Sequence, residues 1–149
     1  MKTYDFARIQ ARPFPTVAEL KNPYIYGYVR YVLNVSDVEY PEEIGNGMYE
    51  LGIQTYHFPL VETGTDMGLE NILKAVRILE KADAEEAPVI VHCGLGNNRS
   101  RVVVECFHLR KRGFQLEDEY KGALNHLAYN CGIGLLPAVD DVERMLKEI

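Results

Sequence analysis

Residues 88–101 read Pro88-Val89-Ile90-Val91-His92-Cys93-Gly94-Leu95-Gly96-Asn97-Asn98-Arg99-Ser100-Arg101. The apolar run from Val89 to Val91 has the length and β-branched content of a buried strand. It ends at His92-Cys93, five residues separate Cys93 from Arg99, and an apolar, helix-compatible segment starts near Val102. A buried strand therefore delivers a cysteine into a glycine-containing loop that opens a helix. In such a loop successive backbone N–H groups turn inward and the helix N-terminus adds partial positive charge, which makes a cradle for an anion. Gly94 and Gly96 permit the tight backbone this requires. Leu95 sits between them. Asn97 and Asn98 either shape the cradle through side-chain hydrogen bonds or simply tolerate the backbone of the turn. Arg99 offers a planar fork that clamps two phosphate oxygens. Gly94 to Arg99 are accordingly the expected substrate-binding residues.

The cysteine makes this cradle reactive. A thiolate is the nucleophilic form, and a helix dipole with a nearby cation favours it. The expected chemistry is attack of Cys93 on a phosphorus atom held by the loop, followed by hydrolysis of the cysteinyl-phosphate by water. Loop N–H groups and Arg99 would stabilise the charge spread over the equatorial oxygens. Ser100 would donate a hydrogen bond to the sulfur and ease its departure in the second step. His92 fits an orienting role better than that of a base, because a thiolate needs none.

The pattern His92-Cys93-x-x-Gly96-x-x-Arg99-Ser100 resembles the signature of the cysteine-dependent protein tyrosine phosphatases, and length and flanks resemble their compact dual-specificity branch. Tyr31-Val32-Leu33-Asn34-Val35-Ser36-Asp37 is similar to a strand end common in that branch. Tyr56-His57-Phe58-Pro59-Leu60 is similar to the strand leading to its general-acid loop. The resemblance runs from about residue 28 to the C-terminus, and residues 1–27 match only loosely.

The resemblance also implies a general acid, since the leaving oxygen of a phosphate ester must be protonated as the bond breaks. In the family it is an Asp three residues after a Pro. Here that position is Glu62, three after Pro59 and 31 before Cys93. Asp66 is the nearest Asp, on the same loop, with Gly64 and Gly68 beside it. Glu62 and Asp66 both remain candidates. Glu can do the chemistry, but its extra methylene changes reach, and misplacement lowers rate. A catalytically weak phosphate-binding module therefore stands as the alternative to a full enzyme. Sulfurtransferases and arsenate reductases also use cysteine loops that hold oxyanions, but this loop follows the phosphatase pattern.

The chain has 149 residues, 47% of them apolar, which suits one small domain spanning 1–149 with one sizeable core. No run of about 18 apolar residues predicts a membrane span, and Met1-Lys2-Thr3-Tyr4-Asp5-Phe6 lacks an apolar signal core. The net charge of −6 argues against nucleic acid and anionic membrane as partners. Cys93, Cys106 and Cys131 form an odd set without paired spacing. A reducing, cytoplasmic compartment is expected rather than a disulfide framework. No Cys/His spacing suggests a metal site, and no cofactor is implied. The loop interior carries no Lys or Arg, which favours phosphorylated protein over a multiply phosphorylated lipid and leaves other small phosphate esters open.

Periodicity predicts strands over Tyr24–Val35, Ile53–Leu60 and Val89–His92, the last of them central. Helices are predicted over Pro41–Leu51, Leu69–Ala82, Ser100–Lys111, Leu116–Asn130 and Asp140–Ile149. Strands alternating with helices give an α/β architecture with a mostly parallel sheet. The resemblance implies four or five strands flanked by helices. In such sheets ligands bind beyond the carboxyl ends of the strands, which is where the motif places Cys93.

Overall fold

The computed structural model describes residues 8–60, 69–94 and 99–111. Among the described residues eight elements follow in chain order: β1 (Ile9–Arg12), α1 (Val17–Leu20), β2 (Tyr31–Asn34), α2 (Glu42–Glu50), β3 (Gln54–His57), α3 (Leu69–Ala84), β4 (Val89–His92) and α4 (Arg99–Lys111). The four strands form one sheet in the order β1-β4-β2-β3, and every neighbouring pair is parallel.

The two inner strands, β2 and β4, are buried at every position, whereas β1 and β3 are partly open edges. Strands covered on both faces must be apolar throughout, which is why Val89-Ile90-Val91 reads as a continuous run. Successive side chains still leave on opposite faces. Val89 and Val91 join Leu33, Ile72, Val76 and Val102 beneath α3 and α4. Ile90 and Val32 join Leu20, Tyr26, Ile44 and Met48 beneath α1 and α2. The sheet is thus the middle of three layers. Its register aligns Arg12, His92, Asn34 and His57 in one row at the carboxyl ends of the strands.

Helices α2, α3 and α4 follow their expected spans, with α3 running two residues further, to Ala84, whereas the short α1 had no counterpart among the expected helices. Gly47 lets α2 approach α1, because a methyl group there would stand 2.8 Å from Leu20 Cδ1. The helix α1 is set by a capping box. The Glu19 N–H donates to Thr16 Oγ1 at 3.1 Å, and the Thr16 N–H donates to Glu19 Oε1 at 3.1 Å.

Two strand expectations are corrected. The predicted strand over Tyr24–Val35 is confined to Tyr31–Asn34. Its first part is a run of turns, in which the Ile25 and Tyr26 N–H groups donate to Asn22 O at 3.0 and 3.2 Å. Asn22 also accepts the Tyr24 N–H on its side chain at 3.0 Å, a local bond that competes with extended structure. A Cβ on Gly27 would lie 2.5 Å from Pro23 O, so this turn requires glycine. The strand expected over Ile53–Leu60 ends at His57. Strand β1 falls in the segment where the resemblance was loose, and its four residues carry no strong signal. The helices expected over Leu116–Asn130 and Asp140–Ile149, and Cys131, lie outside the described residues. Among the described residues no helix is long and apolar enough to cross a membrane.

Candidate active site

Strand β4 ends at His92, and Cys93 follows at the carboxyl edge of the sheet, 2% exposed. Backbone bonds fix this edge. The Val35 N–H donates to His92 O at 2.9 Å, and the Phe14 N–H donates to Gly94 O at 2.9 Å. The start of the loop is therefore tied to the segments that follow β2 and β1.

Helix α4 begins at Arg99, with Ser100 in its first turn and fully buried. Cys93 Sγ and Ser100 Oγ lie 3.4 Å apart, within hydrogen-bonding distance for sulfur. The thiol thus sits near the amino end of a 13-residue helix, the positive end of its dipole. The Arg99 side chain is 12% exposed. Its Nη1 donates to Leu60 O at 3.2 Å and to Asp37 Oδ1 at 3.3 Å. Leu60 is the last described residue before the segment that contains Glu62 and Asp66.

His92 is fully buried, and Phe14 meets its ring edge-on with centroids 4.9 Å apart. Burial pushes its imidazole down to about 4, so the ring is neutral near neutral pH. Nδ1 faces Cys93 O at 3.4 Å, and a carbonyl can only accept, so Nδ1 carries the proton. Nε2 is then the acceptor for the Tyr40 hydroxyl at 2.6 Å. Burial raises the Tyr40 phenol, which keeps it a donor. The chain Tyr40–His92–Cys93 O thus links the segment before α2 to the backbone of the cysteine.

The loop after β2 is built as firmly. Asn34 and Ser36 are each 1% exposed. Asn34 Oδ1 accepts from the Ser36 N–H at 3.0 Å and the Ser36 hydroxyl at 2.6 Å, while its Nδ2 donates to Val38 O at 2.8 Å. His57 Nε2 donates to Ser36 O at 2.8 Å. This knot presents Asp37 to Arg99. The Asp37 carboxyl is held below its ordinary value by its backbone hydrogen bond, and further by Arg99.

Of the expected site residues, the structure brings together His92, Cys93, Gly94, Arg99 and Ser100. Leu95, Gly96, Asn97, Asn98, Glu62 and Asp66 lie outside the described residues. Sequence reasoning missed Asp37, Tyr40 and Phe14. Asp37 stood at the end of a quoted segment without a role, and no spacing rule links Tyr40 or Phe14 to the loop. Among the described residues no cluster of three or more His, Cys, Asp or Glu could hold a metal.

The family model of the dual specificity phosphatase catalytic domain matches residues 23–125. A probable dual specificity protein phosphatase H1 homolog of fowlpox virus is 30% identical over 91 residues, covering 61% of this chain and 49% of that protein. The chain therefore spans about half the length of this curated relative. Among solved structures the fold is similar to PTPMT1, with a TM-score of 0.71 at 17% identity over 96% of this chain and 94% of that one. It is also similar to Tk-PTP in its active form, with a TM-score of 0.65 at 20% identity over 95% and 92%.

Proposed function

The chain belongs to the dual specificity phosphatase family, and from that premise we propose that it hydrolyses phosphate monoesters through a cysteinyl-phosphate on Cys93. The substrates are phosphotyrosine, and phosphoserine or phosphothreonine, in proteins, with small phosphate esters as a further class. The observation that carries this reading is the 3.4 Å approach of Ser100 Oγ to Cys93 Sγ at the amino end of α4, beside Arg99.

In the first step the Cys93 thiolate attacks phosphorus, the S–P bond forms and the P–O bond to the leaving group breaks. Glu62 or Asp66 gives that oxygen its proton. Arg99 and the N–H groups of Gly94, Leu95, Gly96, Asn97 and Asn98 hold the equatorial oxygens, whose charge is the main thing to be stabilised. In the second step water attacks phosphorus and gives a proton to the same carboxylate. The sulfur leaves as thiolate, and the Ser100 hydroxyl donates to it. Neutral His92 fixes the cysteine backbone and takes no proton. A reducing, cytoplasmic setting suits the thiol. The net charge of −6 argues against nucleic acid and anionic membrane as partners, and the absence of Lys and Arg from residues 94–98 favours a phosphoprotein over a multiply phosphorylated lipid.

Turnover of p-nitrophenyl phosphate by the wild type and by Cys93→Ser tests the reading. Turnover by the wild type that Cys93→Ser abolishes supports it. Full activity in Cys93→Ser overturns it. Phosphate binding without wild-type turnover favours the binding-module alternative, which the Glu at position 62 motivates.

A further inference from the structure

The carboxylate at position 37 meets the arginine of the reactive loop across 62 residues of sequence. Both partners are held. Asp37 stands on the loop knotted by Asn34 and Ser36, and Arg99 opens α4. The guanidinium nitrogen Nη1 has two acceptors from two elements, Leu60 O after β3 and Asp37 Oδ1 after β2. Its other terminal nitrogen lies beside Gly94, the residue after the cysteine, where an added methyl group would stand 3.6 Å from Nη2. Two acceptors on one nitrogen fix its plane, and the planar fork recognises phosphate only when its plane is right.

We propose that Asp37 is a positioning residue for phosphate recognition, anchoring Nη1 of Arg99 so that the opposite edge of the guanidinium faces the cradle. This rests on the phosphatase reading above. Two other roles for Asp37 fit less well. A proton donor should be protonated at working pH, whereas Asp37 is held below its ordinary value by its backbone hydrogen bond and by Arg99. A competitor for the phosphate would take the edge that faces the cradle, whereas Asp37 takes the nitrogen already bonded to Leu60 O. The Asp37 side chain is 70% exposed, so its removal leaves the core intact.

The test measures inorganic phosphate binding by calorimetry in the Cys93→Ser background, together with p-nitrophenyl phosphate kinetics in the Cys93 background. Wild type, Asp37→Ala and Asp37→Asn are compared in each. Asp37→Ala is expected to weaken phosphate binding about five- to tenfold and to raise KM more than it lowers kcat, as loss of one hydrogen bond to a charged group would. Asp37→Asn, whose Oδ1 still accepts from Nη1, is expected to stay within about twofold of wild type. Unchanged or tighter phosphate binding in Asp37→Ala overturns the proposal while leaving the phosphatase reading intact. Absence of phosphate binding with Asp37 in place overturns both.

Discussion

Tyr40 Oη stands 2.6 Å from His92 Nε2, and this short bond joins the segment before α2 to the strand that carries the cysteine. The two residues are 52 positions apart. Tyr40→Phe removes the donor and leaves Nε2 buried without it. Such a change costs about 1–3 kcal/mol of stability. Urea unfolding of the variant is expected to show this loss with an unchanged m-value, and phosphatase turnover to fall less than in Cys93→Ser. Unaltered stability would show that the bond is not formed in solution.

His92 also sets a pH dependence of stability. Burial moves its imidazole from the usual 6.5 down to about 4, with the Cys93 backbone bond opposing in part. Between those values the unfolded chain binds a proton that the folded chain refuses. Stability is therefore complete above the unfolded value and falls as pH drops through the window from 6.5 to 4. The slope approaches ~1.4 kcal/mol per pH unit, and the whole loss is on the order of 3 kcal/mol. The lowered carboxyls act elsewhere. Asp37, and Glu85, which is lowered chiefly by the Tyr31 hydroxyl donating to it at 2.6 Å, have ordinary values of 3.8 and 4.5 and lose their contribution only as pH falls below those values toward their folded ones. Urea unfolding between about pH 7 and about pH 5 isolates the histidine. His92→Asn should abolish most of the slope there, and a flat wild-type profile would contradict the assignment.

Backbone packing yields a third expectation. Gly27→Ala places a methyl group 2.5 Å from Pro23 O, a backbone atom that cannot turn aside. Gly47→Ala meets Leu20 Cδ1 at 2.8 Å, the end of a side chain that can rotate. Gly27→Ala should therefore destabilise by about 1–3 kcal/mol, and Gly47→Ala by less. Thermal unfolding of the two variants side by side checks the order.

The two candidate acids, Glu62 and Asp66, can be separated by leaving group. Nitrophenolate leaves readily and needs little protonation, whereas phenolate needs it more. Of Glu62→Gln and Asp66→Asn, the variant that loses more activity on phenyl phosphate than on p-nitrophenyl phosphate identifies the acid. Equal, small losses in both would assign the proton transfer to neither carboxyl.

What the sequence disclosed follows the range of its signals. Cys93, Arg99 and Ser100 lie within eight residues, and their strand–loop–helix setting is local. The inner strand β4 was legible because burial on both faces demands an unbroken apolar run. Tyr24–Val35 was over-read because alternating apolar residues also suit a chain of turns, and the decisive Asn22 and Gly27 bonds are conformational. Strand β1 was missed because four residues, Ile9-Gln10-Ala11-Arg12, become a strand only by pairing with β4. Asp37 and Tyr40 escaped notice for the same reason. Their partners lie 62 and 52 residues away and are brought close by sheet register, which no single-sequence period encodes.

The 3.4 Å contact between Cys93 and Ser100 leads to the most direct test. If the Ser100 hydroxyl assists departure of the sulfur, Ser100→Ala slows the second step and the phosphorylated enzyme accumulates. Intact-mass spectrometry of Ser100→Ala, quenched in acid during turnover of p-nitrophenyl phosphate, should show a species heavier by one phosphoryl group, mapped by peptide analysis to Cys93. Absence of that species from an active Ser100→Ala enzyme, or its appearance on another residue, would contradict nucleophilic catalysis by Cys93 as described.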